Sequence, residues 1–124
     1  KWRAIDGISV LGFIDDINAE YASSRATISP IFSGAGTNIK LVESMQRKRV
    51  CITTDCGMRG MSSFIQNGNE VLVSSNAKEF ASLCIKALSD EAFNHQIAKN
   101  AYEAYTKSFA HEAFNKIVGQ IMTK

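Results

Sequence analysis

The sequence predicts a parallel α/β domain, and three observations carry that prediction. Strand-like, β-branched stretches alternate with amphipathic helical stretches through most of the chain. Glycine-bearing turns follow the carboxyl ends of the early strands, where open α/β sheets form their ligand crevice. From Ala77 onward the pattern is helical throughout. With 124 residues and 45% hydrophobic content, the chain has material for one domain with a real core and too little for two of ordinary size. Residues 1–124 are therefore read as a single domain, with residues 77–124 supplying its last helices.

The elements follow in order. Ile8 to Leu11 reads as a short strand that ends in a Gly12-Phe13-Ile14 turn. Asp15 or Asp16 can cap a helix running to about Ser23, with Ile17, Ala19 and Tyr21-Ala22 as packing residues. Ala26 to Ile31 is the second strand, and Pro30 near its end removes a ladder donor where that loss is tolerable. After a glycine-rich turn, a helix is predicted from about Thr37 to Arg47, with Ile39, Val42 and Met45-Gln46 at helical spacing. Val50 to Thr54 is a β-branched strand, residues 55–60 form a turn-rich loop, and Glu70 to Val73 follows the Asn67-Gly68-Asn69 turn as a further strand. The sheet then has about four strands, few for this architecture. Beyond it, Phe80, Ala81, Cys84 and Leu88 make one apolar stripe and Phe93, Ile97, Ala101 and Tyr105 another. A last helix, with Phe114, Ile117, Val118 and Ile121 on its apolar face, needs a partner, and a second copy of the chain is one candidate.

Bulk properties exclude several functions. A formal charge of +2 over mixed positions is no nucleic-acid footprint. No apolar run approaches the roughly 18 residues of a membrane span, and no signal-peptide pattern opens the chain. A cytoplasmic location is expected. The Arg47-Lys48-Arg49 cluster allows at most a peripheral association with the inner face of a membrane, and a solvated helix end is its simpler reading. Cys51, Cys56 and Cys84 lack metal or disulfide spacing; Cys51 and Cys84 read as buried, and Cys56 as the accessible one. His95 and His111 have no partner in the sequence and read as surface or satisfied histidines. No metal and no cofactor is expected.

The chemistry concentrates in residues 33–43. Gly34 and Gly36 allow backbone conformations closed to other residues and let a ligand approach peptide N–H groups. Thr37 or Asn38 can cap a helix whose free N–H groups and dipole favour a phosphate. Glu43 lies about one and a half turns further on, where its carboxylate can accept hydrogen bonds from sugar or ribose hydroxyls. Other readings stand beside these. Glu43 could pair with Arg47 four residues on, Lys40 could meet phosphate or only solvent, and Arg59 reads as surface decoration ahead of phosphate contact. Asp15 and Asp16 are explained by capping.

In that order and spacing, Leu11-Gly12-Phe13-Ile14-Asp15-Asp16, Tyr21-Ala22, Pro30, the run from Gly34 to Lys40, Glu43, Thr53-Thr54, Gly57 and Arg59-Gly60 resemble the nucleotide-sugar-binding half of group 1, or family 4, retaining glycosyltransferases. The resemblance runs from about Val10 to the end. It implies a Rossmann-like three-layer α/β sandwich with a short parallel sheet, an incomplete carboxyl-terminal half of a GT-B fold. It implies that Glu43 accepts hydrogen bonds from the nucleotide ribose, that the backbone around Gly34, Ala35, Gly36, Thr37 and Asn38 faces the diphosphate and sugar, and that main-chain groups at Phe13 and Ile14 meet the nucleobase. Lys40 is the side chain available to the phosphates.

The chain also departs from the family. Many members carry a first glutamate where this chain has Ala35, so the nucleotide end of the site is better supported than the sugar end. Lys48 and Val50 stand where glycine and proline are usual. Lys1-Trp2-Arg3 opens almost directly into a strand, which is expected of the carboxyl-terminal piece of a longer protein, with the acceptor-binding domain elsewhere. The expected function is donor binding for sugar transfer to a glycan or lipid-linked acceptor, without turnover by this piece alone. A Rossmann-like interaction module that has lost donor binding is the alternative. A dinucleotide oxidoreductase is disfavoured, because the Gly-x-Gly-x-x-Gly pattern with its downstream acid is missing.

Overall fold

The computed structural model describes residues 4–34 and 38–108. Helix α1 (Ile17–Ser23) leads to strand β1 (Ala26–Ser29), helix α2 (Ile39–Gln46) and strand β2 (Val50–Thr53). A 3-10 turn at Cys56–Met58 and strand β3 (Leu72–Val73) follow, and helices α3 (Ala77–Ser89) and α4 (Glu91–Ser108) complete the order. The sheet has three parallel strands in the order β1-β2-β3, with Ala26 opposite Val50 and Ile52 opposite Leu72.

Strand alternation explains the layers. Successive side chains of β2 point to opposite faces, so Cys51 packs with Leu41 and Met45 of α2, while Val50 and Ile52 pack with Ala87 of α3. Helix α4 joins the two sides, placing Ala101 in the first cluster and Ile97 and Ala98 in the second. The result is the expected Rossmann-like α/β sandwich. All four residues of β2 are buried, as a central strand covered on both faces requires.

The helix boundaries follow their capping residues. The Asp16 carboxylate accepts from the Asn18 N–H at 3.0 Å and opens α1; the Asn38 side chain accepts from Leu41 N–H at 3.4 Å and opens α2. At the other end of α2, Lys48 N–H donates to Met45 and Arg49 N–H to Ser44 at 2.9 Å, which closes the helix in a Schellman turn. Lys48 occupies the position where that turn favours glycine, at φ 57. The turn into β2 is thus made with the usual geometry and an unusual residue.

Several expectations are corrected. Residues 8–11 form no strand; Ile8, Val10 and Leu11 are 40–59% exposed, with no described strand beside them to complete a ladder. The sheet accordingly has three strands among the described residues instead of about four. In α2 the inward residues are Leu41, Ser44 and Met45, whereas Ile39 is 68% exposed. The stripe of α3 is Phe80, Leu83, Cys84 and Ala87, turned by about one residue from the predicted one; Ala81 and Leu88 face outward. Cys84 is half-buried instead of buried, and Cys56 is half-buried too. The stripe Phe93, Ile97, Ala101 and Tyr105 does pack inward as expected. The predicted last helix, with Phe114, Ile117, Val118, Ile121 and His111, lies outside the described residues.

Candidate functional site

At the carboxyl edge of the sheet, hydroxyl and amide side chains tie the strand ends together. Thr53 Oγ1 donates to the Ser29 carbonyl at 2.8 Å, linking β2 to β1. Thr54 Oγ1 donates to the Ile31 carbonyl and accepts from Gly57 N–H at 3.1 Å, so one hydroxyl fixes both the exit of β1 and the 3-10 turn. Ser75, just past β3, donates to the Asp55 carboxylate at 2.7 Å and accepts from Asp55 N–H at 3.1 Å. These bonds leave the chain after each strand in a fixed direction. The loops after β1 and β2 and the start of α2 consequently share one edge, where ligands of such sheets bind.

Gly57 is required by this arrangement. A Cβ there would meet Thr53 Oγ1 at 2.0 Å and the Asn38 amide nitrogen at 3.2 Å. The same Asn38 amide donates to Ser29 Oγ at 3.2 Å. The cap of α2, the end of β1 and the turn after β2 therefore form one buried polar junction, with Asn38 at its centre.

Of the glycine turn, the structure describes Gly34. Gly34 has φ 125, a conformation that L side chains rarely adopt. Its carbonyl accepts from Arg59 Nη1, and Arg59 Nη2 lies 3.7 Å from Cys56 Sγ. Arg59 is thus more than surface decoration: it carries a cation to the glycine turn and ties the loop after β2 to the loop after β1. Lys40 is exposed on the first turn of α2. Ala35, Gly36 and Thr37 lie outside the described residues.

Glu43 is half-buried on the second turn of α2, and its Oε2 accepts from the Tyr21 hydroxyl at 3.1 Å. The expected pairing with Arg47 takes a different form. Arg47 Nη1 donates to the Glu43 main-chain carbonyl at 3.3 Å, its Nε donates to Asn18 Oδ1 at 2.9 Å, and its guanidinium lies 4.7 Å from the centre of the Tyr21 ring. A carboxylate offers about four acceptor positions, so the bond from Tyr21, its one partner among the described residues, leaves Glu43 able to receive two neighbouring hydroxyls. Burial pushes the Tyr21 phenol above its ordinary value, and the hydrogen bond and charge of Glu43 add to the rise. The phenol remains a donor at neutral pH.

Phe13 and Ile14 are less well integrated. Phe13 is 91% exposed and Ile14 half-buried, and neither joins the core clusters. Gly12 lies in the same exposed stretch, at φ 71. The basic cluster is also not simply solvated: Lys48 lies over the Tyr102 ring at 4.5 Å, and Arg49 donates to the Tyr21 carbonyl at 2.8 Å and the Ala22 carbonyl at 3.1 Å, at the end of α1. Cys51 is an inert thiol, pushed by burial up to about 11.

Sequence reasoning missed the Tyr21 hydroxyl, because an aromatic residue on an amphipathic helix reads as packing. It missed the junction at Asn38 for a similar reason: Ser29, Thr53 and Thr54 look like ordinary strand residues until their partners are known. The run Thr53-Thr54-Asp55 at a strand end was the available signal.

No helix among the described residues is long and apolar enough to cross a membrane. A family model described as glycosyl transferases group 1 matches residues 1–90. A search of curated proteins found no match.

Proposed function

Because the chain belongs to the group 1 glycosyltransferases, we propose that it is the carboxyl-terminal, donor-binding part of a retaining enzyme of the GT-B type. Such an enzyme moves a sugar from a nucleotide-activated donor to a glycan or lipid-linked acceptor in polysaccharide or glycolipid synthesis. The observation that supports this reading best is the Glu43 carboxylate, half-buried on the second turn of α2 and held, among the described residues, by the hydrogen bond from Tyr21. In this reading Glu43 receives the ribose hydroxyls. The backbone from Gly34 to Asn38 and the amino end of α2 receive the diphosphate, whose charge the helix dipole favours. Main-chain groups at Phe13 and Ile14 meet the base.

Retaining transfer also needs stabilisation of the departing diphosphate and an acceptor hydroxyl close to the anomeric carbon. Lys40 and Arg59 are the cations this chain places on the first turn of α2 and at the glycine turn. The acceptor side belongs to an amino-terminal domain, so this piece alone binds donor without turnover.

Isothermal titration with ribonucleoside diphosphates and nucleotide sugars tests the reading. One of them should bind, and Glu43→Ala should weaken it by about 10- to 100-fold, as expected for hydrogen bonds to a charged group. Equal affinity in both proteins removes Glu43 from the site. No binding by any member of the panel favours the interaction-module alternative.

A further inference from the structure

Helix α1 has no buried residue, yet polar contacts fix it against the turn that follows α2. Arg47 reaches Asn18 on α1 at 2.9 Å, while Arg49 and Ser24 Oγ both donate to the Tyr21 carbonyl, at 2.8 and 2.9 Å. The Tyr21 ring is held against the Arg47 guanidinium, with 4.7 Å between them. The clamp therefore holds Tyr21 by both its main chain and its ring. What it leaves to act is the hydroxyl, which donates to Glu43 Oε2 at 3.1 Å.

We propose that Tyr21 is a positioning residue for ribose recognition: its hydroxyl fixes the Glu43 carboxylate so that the remaining acceptor positions face the 2′- and 3′-hydroxyls of a ribonucleoside diphosphate. The proposal rests on the donor-binding reading above. A glutamate has three rotatable side-chain bonds, and an unrestrained one loses that freedom when ligand binds. Tyr21 removes the loss beforehand, because the carboxylate is already held in the free protein. The phenol suits this task. It is a rigid donor with one torsion of its own, and burial together with the Glu43 charge keeps it protonated over the physiological range.

Tyr21→Phe keeps the ring against Arg47 and removes only the donor. The probes are the four common ribonucleoside diphosphates and their 2′,3′-dideoxy counterparts, titrated calorimetrically into wild type, Tyr21→Phe and Glu43→Ala. Tyr21→Phe should lose about three- to tenfold affinity for the ribo form and keep the wild-type affinity for the dideoxy form. Equal losses on both probes mean that Tyr21 merely supports the fold and overturn the proposal. A loss in Glu43→Ala with none in Tyr21→Phe overturns it while leaving the donor reading intact. No ribonucleoside diphosphate binding to wild type, or no effect of Glu43→Ala, overturns the donor reading and this inference together. Should Tyr21→Phe melt well below wild type, Arg47→Met decides: it loosens the ring and keeps the hydroxyl, and the same preferential loss on the ribo probe is expected from it.

Discussion

Residues 4–14 and residues 26–60 are both rich in apolar side chains, but only the second stretch buries some of them completely, even though its Ile28, Phe32 and Ile39 stay exposed. In the first stretch Ile5, Ile8, Val10, Leu11 and Phe13 are between 40% and 91% exposed. In the second, Leu41, Met45, Val50, Cys51 and Ile52 are at most 1% exposed. The second stretch is also joined by polar bonds: Thr27 and Ser44 hydroxyls lie 2.7 Å apart between β1 and α2, and Thr53 reaches the Ser29 carbonyl at 2.8 Å. An apolar run becomes a strand when another strand completes its ladder and a helix covers its face. Residues 26–29 have both, whereas residues 8–11 are paired with no described strand.

The largest difference between the two stretches should appear at Gly57. Alanine there places a Cβ 2.0 Å from Thr53 Oγ1, a hydroxyl that is committed to the Ser29 carbonyl, with the Asn38 amide at 3.2 Å on the other side. Neither neighbour can retreat without breaking a buried hydrogen bond, so overpacking and bond loss add. Gly57→Ala should cost about 3 kcal/mol or more, read as a fall in the urea midpoint at unchanged slope. A loss under about 1 kcal/mol would mean that the junction is looser than its bond lengths indicate. Under the proposed donor reading, donor affinity should fall as well, because Asn38 caps α2, whose amino end is the proposed phosphate site.

A smaller effect of opposite sign is expected at Lys48, the point where sequence and backbone disagree inside the tight unit. The Schellman turn requires φ 57, which costs a side-chain-bearing residue about 1 kcal/mol. The ammonium over Tyr102, at 4.5 Å, returns about half of that at an exposed site. Lys48→Gly should therefore stabilise the protein by about 0.5 kcal/mol. Lys48→Val, which keeps neither the flexibility nor the cation, should destabilise it by about 1–2 kcal/mol. If both substitutions destabilise equally, the cation–π contact outweighs the strain.

The same two stretches show what was legible in the sequence. Helix α2 was readable because the Asn38 cap and the apolar spacing are local signals, whereas Lys48 stands in its closing turn without the glycine that would announce it. Its inward face was misjudged because Ile39 and Leu41 are equally apolar, and only the positions of Cys51 and Met61 decide which of them is covered. Glu43 was readable as a carboxylate in a glycine-turn context. Tyr21 as its partner was not, since the contact spans 22 residues and joins two helices through a strand. Arg59 escaped for the same reason: its partner, the Gly34 carbonyl, lies 25 residues away. Residues 8–11 were misread because a local pattern records the ability to form a strand, whereas pairing is supplied by the rest of the fold.

The smallest effect is expected at Phe13, and it bears most directly on the looser stretch. A ring that is 91% exposed has almost no surface to lose on truncation, so Phe13→Ala should change stability by no more than about 0.5 kcal/mol. The resemblance assigns base recognition here to main-chain groups, which alanine retains. Affinity for a ribonucleoside diphosphate should then change less than about twofold, far below the effect of Glu43→Ala. A selective loss of affinity without a change in melting temperature would instead assign the ring to stacking on the base. A loss of stability near 1 kcal/mol, growing with protein concentration, would mean that the ring is covered by a second copy, and residues 4–14 would then owe their exposure to the monomer alone. Melting curves at two protein concentrations, with and without nucleoside diphosphate, separate the three outcomes.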